Sequence, residues 1–452
     1  MVDEGRASNF DMALHYALGK LKLCNVELKE QQRVVLKHIY NGNDVFVRLP
    51  TGYGKSLCYQ LIPFMVDFKL RKCGKEDCGY VVIVVSPLIS LMIEQVQRLR
   101  ERGVSSAILG ADVGSTRVPR ELLAKEHNIV SGAYKILYSA PEAIIGVQFW
   151  REILLRPCLR NAVAAIAIDE AHCVSKWSKE FRPTYGRVSE LRALVSPGVP
   201  MLALTATVTD LITRDVITTL DMEDCEIVCL SPNRPNIYYE VKPQNDIDTD
   251  MVDSVHFLQV HKKDTNRTIV YCRTMDMCAD LYGYFLHSLG ESSYFPPAAP
   301  QVSDNRLFGM YHSSTPSYNK QVVLQSLLKP DGVVRVVFAT NALGMGVNMA
   351  KVNRIIHYGA PRSIDDYFQE SGRAGRSGEQ SSSLVYWKPV QCPMTTEPKT
   401  VHEMERKMVR QYLENTTSCR RKALLRYFDV EVLETDENPV LCCDVCRANS
   451  KQ

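Results

Sequence analysis

The sequence predicts an α/β protein with two doubly wound lobes in tandem, each built on a parallel sheet, followed by a small α-helical subdomain. Apolar runs without polar alternation, such as residues 80–85, are typical of parallel strands buried on both faces. Stretches with helical spacing separate these runs, as the crossovers of a parallel sheet require. We place the three domains at residues 1–233, 234–388 and 389–452.

Length and composition are those of ordinary globular proteins. The chain has 452 residues, of which 45% are hydrophobic and 23% charged, which suits about three domains. The net charge of +3 permits a nucleic-acid partner without requiring one. We see neither an apolar run of membrane-spanning length nor a secretory signal, so we expect a soluble, intracellular protein with no membrane partner. In such a chain, 15 cysteines indicate buried thiols and one metal site rather than a disulfide framework.

Residues 49–56, with the sequence LPTGYGKS, have the context of a phosphate-binding loop. A buried strand at 45–47 precedes them and a helix follows, which is the arrangement that such a loop needs. Glycines let the backbone approach phosphate oxygens, lysine reaches the β- and γ-phosphates, and a serine hydroxyl ligates Mg²⁺. The strict pattern has glycine where Leu49 stands, and the alternative is an ordinary glycine turn with a solvated lysine. The candidate residues are Thr51, Gly52, Gly54, Lys55 and Ser56.

The remaining runs of the first lobe also end in polar residues. Asp169 and Glu170 follow a buried strand at 164–168, and two carboxylates there could hold Mg²⁺ and polarise an attacking water. The alternative is that they are acidic residues at a helix N-terminus. Upstream of the phosphate loop, a glutamine, Gln31 or Gln32, could read an adenine edge, or it could lie on a solvated helix face.

The second lobe follows a linker at residues 232–236. Its strands are predicted at 268–273, 333–340, 354–358 and 383–387, with a mobile surface insertion at 291–306. Arg373 and Arg376, three residues apart on a predicted helix, would share a face. A guanidinium can meet the charge that builds on a transferred phosphate, and the alternative for both arginines is a surface salt bridge.

Taken together, these stretches resemble the RecQ family of DNA helicases, in superfamily two. Residues 169–185, DEAHCVSKWSKEFRPTY, are similar to the DEAH box of that family with its aromatic-rich loop. The resemblance implies RecA-like lobes and a loop in which Trp177, Phe181 and Arg182 sense single-stranded DNA, whose bases stack on aromatic faces. Core packing is the alternative for the Trp-Phe pair.

The resemblance also assigns roles along the chain. It implies that Gln32 contacts adenine, that residues 86–95 (including Ser86 and Gln95) and 139–142 line the DNA track, and that residues 205–207 link the ATP and DNA sites. Residues 271–273, 312–313 and 340–348 match motifs of the second lobe, and Arg376 is the implied arginine finger with Arg373 beside it. The family has arginine where this chain has Lys29.

The C-terminal piece resembles the zinc-binding subdomain of the family, with a helix opened by Cys419 and a closing pair formed by Cys443 and Cys446. Four thiolates make a closed tetrahedral zinc site. The family usually places a further cysteine several residues before the closing pair, whereas here Cys442 adjoins Cys443. We take Cys442 as the fourth ligand, with Cys392 or His402 as alternatives.

The predicted function is that of an ATP-dependent DNA helicase of RecQ type, translocating 3′→5′ on single-stranded DNA and unwinding tailed or forked duplexes in recombination, repair or replication. Its cofactors would be ATP, Mg²⁺ and a structural Zn²⁺. Family analogy implies the nucleus in a eukaryote and the cytoplasm otherwise. As a short form ending after the zinc-binding subdomain, it would open duplexes less strongly than longer relatives. The alternatives are an RNA-stimulated ATPase and a catalytically weak protein that tethers DNA or protein partners.

Overall fold

A computed structural model of the chain describes residues 8–71, 79–110, 112–113, 116–177, 182–343, 349–393, 400–430 and 438–450. The chain divides into two compact units, Met1–Pro232 and Asn233–Gln452. In the described part of the chain, no helix is both long and apolar enough to cross a bilayer.

The first unit contains a parallel sheet and a two-stranded antiparallel ribbon. Its strands are β1 (Val45–Arg48), β2 (Val81–Val85), β3 (Ser106–Leu109), β4 (Asp112–Val113), β5 (Thr116–Arg117), β6 (Ile136–Ser139), β7 (Val163–Asp169), β8 (Met201–Thr205) and β9 (Glu226–Cys229). Its helices are α1 (Asn9–Lys20), α2 (Glu30–Asn41), α3 (Lys55–Arg71), α4 (Ile89–Glu101), α5 (Glu126–Val130), α6 (Pro141–Gly146), α7 (Gln148–Leu155), α8 (Pro157–Arg160), α9 (His172–Trp177), α10 (Leu191–Leu194) and α11 (Asp210–Thr219).

The strand order of the first sheet is β3-β6-β2-β7-β8-β1-β9, with every pairing parallel. Hydrophobic clusters on both faces explain why the central strands read as continuous apolar runs. Because β7, β8 and β1 are neighbours, their carboxyl ends meet at one edge of the sheet. The phosphate loop after β1 and the carboxylates after β7 therefore lie at the same edge, with the end of β8 between them.

The second unit contains a parallel sheet and the cysteine-rich C-terminal helices. Its strands are β10 (Ile237–Pro243), β11 (Arg267–Cys272), β12 (Phe308–Tyr311), β13 (Val336–Ala339), β14 (Val352–Tyr358) and β15 (Ser381–Trp387), in the order β10-β15-β14-β11-β13-β12. Its helices are α12 (Ile247–His261), α13 (Met275–Leu289), α14 (Ser317–Leu328), α15 (Ile364–Ser371), α16 (Val401–Glu414), α17 (Arg420–Tyr427), α18 (Pro439–Cys442) and α19 (Asp444–Asn449).

Two parallel sheets with crossover helices confirm the predicted fold class. The four strands of these sheets that the sequence did not reveal, β3, β9, β10 and β12, are their edge strands. An edge strand has a neighbour on one side only, so it does not need a long apolar run. The C-terminal helices share one hydrophobic cluster with β10 and α15. The three-domain limits stay a prediction.

Residues 291–306, which we expected to form a mobile surface insertion, are packed against the rest of the second unit. Tyr294 is buried, and the Arg306 guanidinium contacts both the Tyr294 and the Tyr282 hydroxyls. The backbone N–H of Phe295 also donates to the Asn305 carbonyl at 2.8 Å. The segment is therefore tied at both ends, which its Ser, Pro and Ala content did not indicate.

Candidate nucleotide-binding and zinc-binding sites

The phosphate loop is a tight turn between β1 and α3. Gly52 (φ 84°) and Gly54 (φ 90°) adopt left-handed backbone conformations that other residues rarely take. The Lys55 ammonium donates to the Leu49 carbonyl at 3.0 Å and closes the turn. Ser56 follows in the first turn of α3, whose N-terminal end favours negative charge. All five predicted loop residues, Thr51 included, thus lie in this turn or at the start of α3, and the arrangement fits a bound phosphate.

Leu49 explains how the loop tolerates the departure from the strict pattern. Its side chain is fully buried in the first hydrophobic cluster, and its backbone N–H donates to the Thr205 carbonyl at 3.1 Å. A leucine at this position thus extends the core beneath the loop instead of entering the space in front of it. The glycines that the turn requires are the two that follow.

Gln32 braces the phosphate loop from α2. It is buried, and its amide nitrogen donates to the carbonyls of Tyr53 and Gly54 at 3.0 Å each. Its amide oxygen accepts the Lys29 backbone N–H at 2.9 Å. A solvated helix face is therefore wrong for Gln32, while its predicted contact with adenine stays a prediction. The Lys29 ammonium lies 4.2 Å from the centre of the Tyr53 ring, a cation–π contact.

Asp169 and Glu170 end β7 in different environments. Asp169 is buried, and one of its carboxylate oxygens accepts the Glu170 backbone N–H at 3.1 Å. Burial, and then the negative charge of Glu170, raise the pKa of Asp169 to about 7, although Lys55 opposes the shift. A group that is costly to ionise here is suited to meet a cation.

Glu170 has an unusual backbone, with φ of 50° in a region that L-residues seldom occupy. Its Oε2 atom is buried and forms no hydrogen bond to the described residues, although it lies 3.4 Å from His172 Nδ1. A buried carboxylate oxygen without a hydrogen-bond donor normally needs an explanation. An attacking water held at this oxygen would supply one.

His172 connects the carboxylate motif to the neighbouring strand. Its Nδ1 atom lies 3.1 Å from the Thr205 hydroxyl at the end of β8, and the backbone N–H of Ala171 donates to the Leu204 carbonyl at 2.8 Å. The motif after β7 is therefore attached to the first residue of the 205–207 stretch. A change at the carboxylates can reach that stretch through one side chain.

The predicted DNA-coupling residues are only partly described. Phe181 lies outside the described residues, as does the side chain of Trp177 at the end of α9. Ser86 is buried, and Gln95 accepts a hydrogen bond at 2.9 Å from Gln60 in α3. That bond joins the predicted DNA track to the helix that carries the phosphate loop.

Arg182 is held by protein groups. Its guanidinium forms a two-point ion pair with Glu142, donates to the Pro87 carbonyl at 2.8 Å and lies 5.1 Å from the centre of the Tyr185 ring. Arg182 thus joins the two predicted stretches of the DNA track. A direct contact with DNA stays a prediction.

The arginines of the second unit do not lie on a helix, which corrects one expectation. The helix α15 ends at Ser371, and Arg373 and Arg376 follow in a turn. Gly375 in this turn has a φ of 58°, which a continuing helix would not allow, and a Cβ atom there would come within 2.4 Å of the Asn236 side chain. The shared-face argument therefore fails. Even so, both arginines lie near Tyr271. Burial raises the pKa of the Tyr271 hydroxyl, and the positive charges of Arg373 and Arg376 oppose that shift.

Arg373 is almost completely buried, whereas Arg376 is half-buried. The Nε and Nη1 atoms of Arg373 form no hydrogen bond to the described residues. Buried guanidinium groups are normally paired. Arg373 is therefore a candidate to support an anion rather than to stabilise the fold.

The arginine turn is held by residues of the predicted linker at 232–236. The Arg234 guanidinium donates to the carbonyls of Gly372, Ala374 and Gly375, and the Asn236 amide donates to that of Gly375 at 2.8 Å. The signal for them was the pair Arg234 and Asn236 on either side of Pro235. A plain linker does not need two side chains that donate to backbone carbonyls.

The other second-lobe motifs lie at the carboxyl end of the sheet. The Tyr271 ring stacks on His357 with centroids 5.4 Å apart, and His357 Nε2 lies 2.8 Å from a Glu370 carboxylate oxygen. His312 is buried, and its backbone N–H donates to the Thr315 hydroxyl. The stretch 344–348 lies outside the described residues.

The four predicted cysteines form one cluster. The sulfur atoms of Cys419, Cys442, Cys443 and Cys446 all lie within 4.8 Å of one another, with 3.5 Å between those of Cys419 and Cys442. A tetrahedral zinc site with Zn–S bonds of about 2.3 Å separates its sulfurs by about 3.8 Å. The donor set and its spacing therefore fit zinc.

The backbone brings the adjacent cysteines together. Cys443 is extended (φ −163°, ψ 169°) and caps α19, where its sulfur accepts the Cys446 N–H at 3.4 Å. Hydrogen bonds from the neighbouring thiols of Cys419 and Cys442, and from that N–H, lower the pKa of Cys443. A thiolate is the form that binds zinc.

The alternative ligands lie elsewhere. The Cys392 thiol donates to the Arg406 carbonyl at 3.0 Å, and the His402 side chain is 73% exposed beside Glu405. Neither belongs to the cluster.

Comparison with known proteins gives three consecutive family matches. Residues 29–214 match the DEAD/DEAH box helicase family, residues 250–378 match the helicase conserved C-terminal domain, and residues 388–447 match the RecQ zinc-binding family. The last match includes all four cysteines of the cluster.

Individual relatives match most of this chain. The ATP-dependent DNA helicase hus2/rqh1 of Schizosaccharomyces pombe is 32% identical over 92% of this chain, which spans 30% of that protein. The ATP-dependent DNA helicase RecQ of Haemophilus influenzae is 30% identical over 92% of this chain, which spans 61% of it. This chain therefore spans less than two thirds of either relative.

A solved structure supports the fold. The helicase Lhr of Mycobacterium smegmatis, bound to single-stranded DNA and AMP-PNP, matches with a TM-score of 0.62 at 20% sequence identity. The match covers 96% of this chain and 52% of that one. At this identity the likeness concerns the arrangement of the chain and not its chemistry.

Proposed function

Since the chain belongs to the RecQ family of DEAD/DEAH-box helicases, we propose that it is an ATP-dependent helicase that translocates 3′→5′ along single-stranded DNA and unwinds duplex DNA. The observation that carries the proposal is the meeting of the phosphate loop, the carboxylates and the Thr205 contact at one edge of the first sheet. Two named relatives are DNA helicases, which favours DNA over RNA as the substrate.

Each group at this edge has a distinct task in the proposed reaction. Bound ATP with Mg²⁺ supplies the phosphoanhydride bond whose hydrolysis provides the free energy for movement. The loop N–H groups and Lys55 would hold the phosphates, while Ser56 and Asp169 would hold the metal. Glu170 would orient the attacking water through its buried Oε2 atom, which has no hydrogen-bond partner in the described part of the chain. Arg373 and Arg376 would supply positive charge from the second unit.

The proposed substrate is single-stranded DNA with tailed or forked duplexes. The DNA-coupling residues would transmit the presence of the strand to Asp169 and Glu170 at the edge of the first sheet. These residues are Ser86, Gln95, Trp177, Phe181 and Arg182. Phosphate contacts would dominate binding, so the affinity should fall steeply with salt. A place in DNA repair or recombination, and in the nucleus of a eukaryote, belongs to the same proposal.

Strand separation on tailed duplexes tests the function. We expect ATP-dependent unwinding of a 3′-tailed duplex, little unwinding of a 5′-tailed one, and more stimulation of ATP hydrolysis by DNA than by an RNA oligonucleotide of the same sequence. Preference for the 5′ tail would contradict the direction. Equal or greater stimulation by RNA would favour an RNA-stimulated ATPase, and no turnover with saturating DNA would favour a tethering protein.

The zinc site yields a prediction with a matched control. Cys446→Ser removes one sulfur of the cluster and should lower zinc affinity at least about tenfold, since even an outer-shell change costs about 10–100-fold. Cys392→Ser removes a buried thiol from the same unit but outside the cluster. Competition with a zinc chelator should give the same zinc affinity for the wild type and the Cys392 variant. An unchanged zinc affinity in the Cys446 variant would exclude that residue as a ligand.

The raised pKa of Asp169 predicts a stabilising substitution. A carboxyl whose pKa is about 7 when folded and near 3.8 when unfolded binds more protons in the folded state, so stability falls as pH rises between these values. In magnesium-free buffer, Asp169→Asn should therefore raise the Tm at pH 8 and change it little at pH 4. In a unit of this size, a gain of about 1 kcal/mol in the free energy of unfolding raises the Tm by about 2–4 °C.

The activity of this variant provides the second half of the test. Loss of the carboxylate should abolish ATP hydrolysis while the protein becomes more stable, as is common where a site is strained for function. Calorimetric melts and ATPase assays of the same preparation check both. A lower Tm at pH 8 would show that ionised Asp169 is not a cost in the folded protein.

A further inference from the structure

The second unit has a polar cavity at the edge of its sheet opposite the motifs described above. The cavity has a volume of about 310 Å³ and is lined by the residues that begin β11 and directly precede β13 and β14, namely Arg267, Arg335 and Lys351. The strand β11 runs from Arg267 at this edge to Cys272 at the other. At about 3.3 Å per residue, the two edges are about 17 Å apart.

Arg267 is buried here without a counter-ion. It is 1% exposed, and within the described part of the chain no carboxylate lies within 4.0 Å of its guanidinium. Its terminal nitrogens donate to backbone carbonyls, including those of Ala350 at 2.7 Å and Lys329 at 2.6 Å. Burial and the positive charge of Arg335 lower the pKa of Arg267 to about 10. Asp331, in the same cavity, partly opposes this shift without forming an ion pair with Arg267. Arg267 therefore fixes the loops around the cavity and adds positive charge to its wall.

Arg335 is a second buried cation in the same wall. It is 9% exposed and donates to the Gly332 carbonyl at 2.6 Å, while its Nε forms no hydrogen bond to the described residues. Among those residues it has no ion-pair partner either. Two guanidiniums buried side by side are costly when no carboxylate of the described residues lies within 4.0 Å of either one. That cost favours the binding of an anion between them.

Two lysines extend the positive charge to the rim. Lys263 and Lys351 line the opening, and Lys351 has a left-handed backbone with φ of 51°. The Ala350 carbonyl that Arg267 holds is directly before Lys351, so the buried arginine helps to fix the strained residue. Two carboxylates, Asp264 and Asp331, also line the cavity. Four cations against two carboxylates leave a local net charge of +2.

We propose that this cavity binds a phosphate-bearing anion, of the diphosphate or polyphosphate class. A dianion matches the excess charge, and its several acceptor oxygens can satisfy guanidinium and ammonium donors together. The volume is at the lower end of small-molecule pockets, so it admits more than a single small ion. Arg335, Lys263 and Lys351 contact the ligand, and Arg267 positions the loops that carry them.

The phosphate groups could belong to a free polyphosphate or to the backbone of a nucleic acid. Pyrophosphate is the probe for the first source and an oligothymidylate for the second. Titration calorimetry is done on the full chain carrying Lys55→Ala, which weakens phosphate binding at the loop of the first unit. We expect pyrophosphate to bind at one site in this protein.

The surface lysines give the decisive variants because they can change without emptying the core. Adding Lys263→Gln and Lys351→Gln should weaken pyrophosphate binding at least about tenfold, the value of one charged hydrogen bond or more. Lys242→Gln, an exposed lysine of the same unit paired with Glu240, is the control and should leave the affinity unchanged. Arg335→Gln should act as the lysine variants do if it folds.

The competition experiment assigns the source. If oligothymidylate displaces pyrophosphate, and the lysine variants lower the salt dependence of DNA binding, the site holds a nucleic-acid phosphate. If oligothymidylate does not displace pyrophosphate, the ligand is a free polyphosphate. Absence of pyrophosphate binding, or equal affinity with and without the two lysines, would overturn the proposal. Neither result depends on helicase activity.

Discussion

Arg376→Ala is expected to lower the kcat of DNA-stimulated ATP hydrolysis by about 10³-fold or more, the range found for arginines that stabilise a transferring phosphate. Arg376 lies in the turn after α15 and is half-buried. Because the charge that it meets develops mainly in the transition state, the KM for ATP should change far less than kcat. Steady-state ATPase kinetics with saturating single-stranded DNA measure both constants.

Two further variants make the result specific to this guanidinium. Arg376→Lys keeps the charge but loses the planar fork, so it should recover only part of the lost rate. Arg426→Ala removes an exposed arginine from the last turn of α17 and should leave the rate unchanged. Binding of single-stranded DNA, measured by fluorescence anisotropy, should be the same in all three. A kcat within twofold of wild type for Arg376→Ala would remove this residue from the proposed mechanism.

Lys55→Ala should reduce ATP hydrolysis about 10²–10³-fold, the usual cost of losing one preorganised donor to a developing charge, and should abolish unwinding. In the structure, Lys55 donates to the Leu49 carbonyl. Loss of that bond costs only about 1 kcal/mol, so the variant should fold. Parallel assays of ATP turnover and of duplex unwinding on a 3′-tailed substrate measure the effect.

The same helix offers a matched control. Lys69, near the other end of α3, also donates to a backbone carbonyl, that of Tyr40 at 3.1 Å, and lies over the Tyr40 ring. Lys69→Ala removes an equivalent hydrogen bond far along the helix from the phosphate loop, so it should retain full activity. If both variants hydrolyse ATP at the same rate, Lys55 has no role in catalysis.

The fold class and the nucleotide motifs followed from the sequence because they depend on local order. A strand buried on both faces must be a continuous apolar run, and a phosphate loop must place glycines and a lysine at fixed spacing. Residues 52–56 and 169–170 could therefore be placed at strand ends from the order of residues alone. The cysteine set was predicted differently, from the resemblance of residues 419–446 to the zinc-binding subdomain of the RecQ family.

Tertiary contacts decided what local order leaves open. The sequence did not predict the edge strands β3, β9, β10 and β12. A strand with a neighbouring strand on one side only does not need a long apolar run. The spacing of Arg373 and Arg376 predicts a shared helix face, but the left-handed Gly375 and the hydrogen bonds from Arg234 and Asn236 hold both arginines in a turn. These partners lie more than 130 residues away along the chain. No pattern within the motif could reveal them.

For this protein, the sequence by itself determined the two parallel sheets and the chemistry of the phosphate loop and carboxylates, and its resemblance to the RecQ family indicated three of the four clustered thiols. Only the tertiary structure decided that Cys442 joins the cluster in place of Cys392 or His402, and that Gln32 braces the loop. It also decided that Arg267 and Arg335 line the same cavity. The physical reason is the same in each case, since burial and neighbours are set by distant parts of the chain, whereas periodicity and motif spacing are set by adjacent residues.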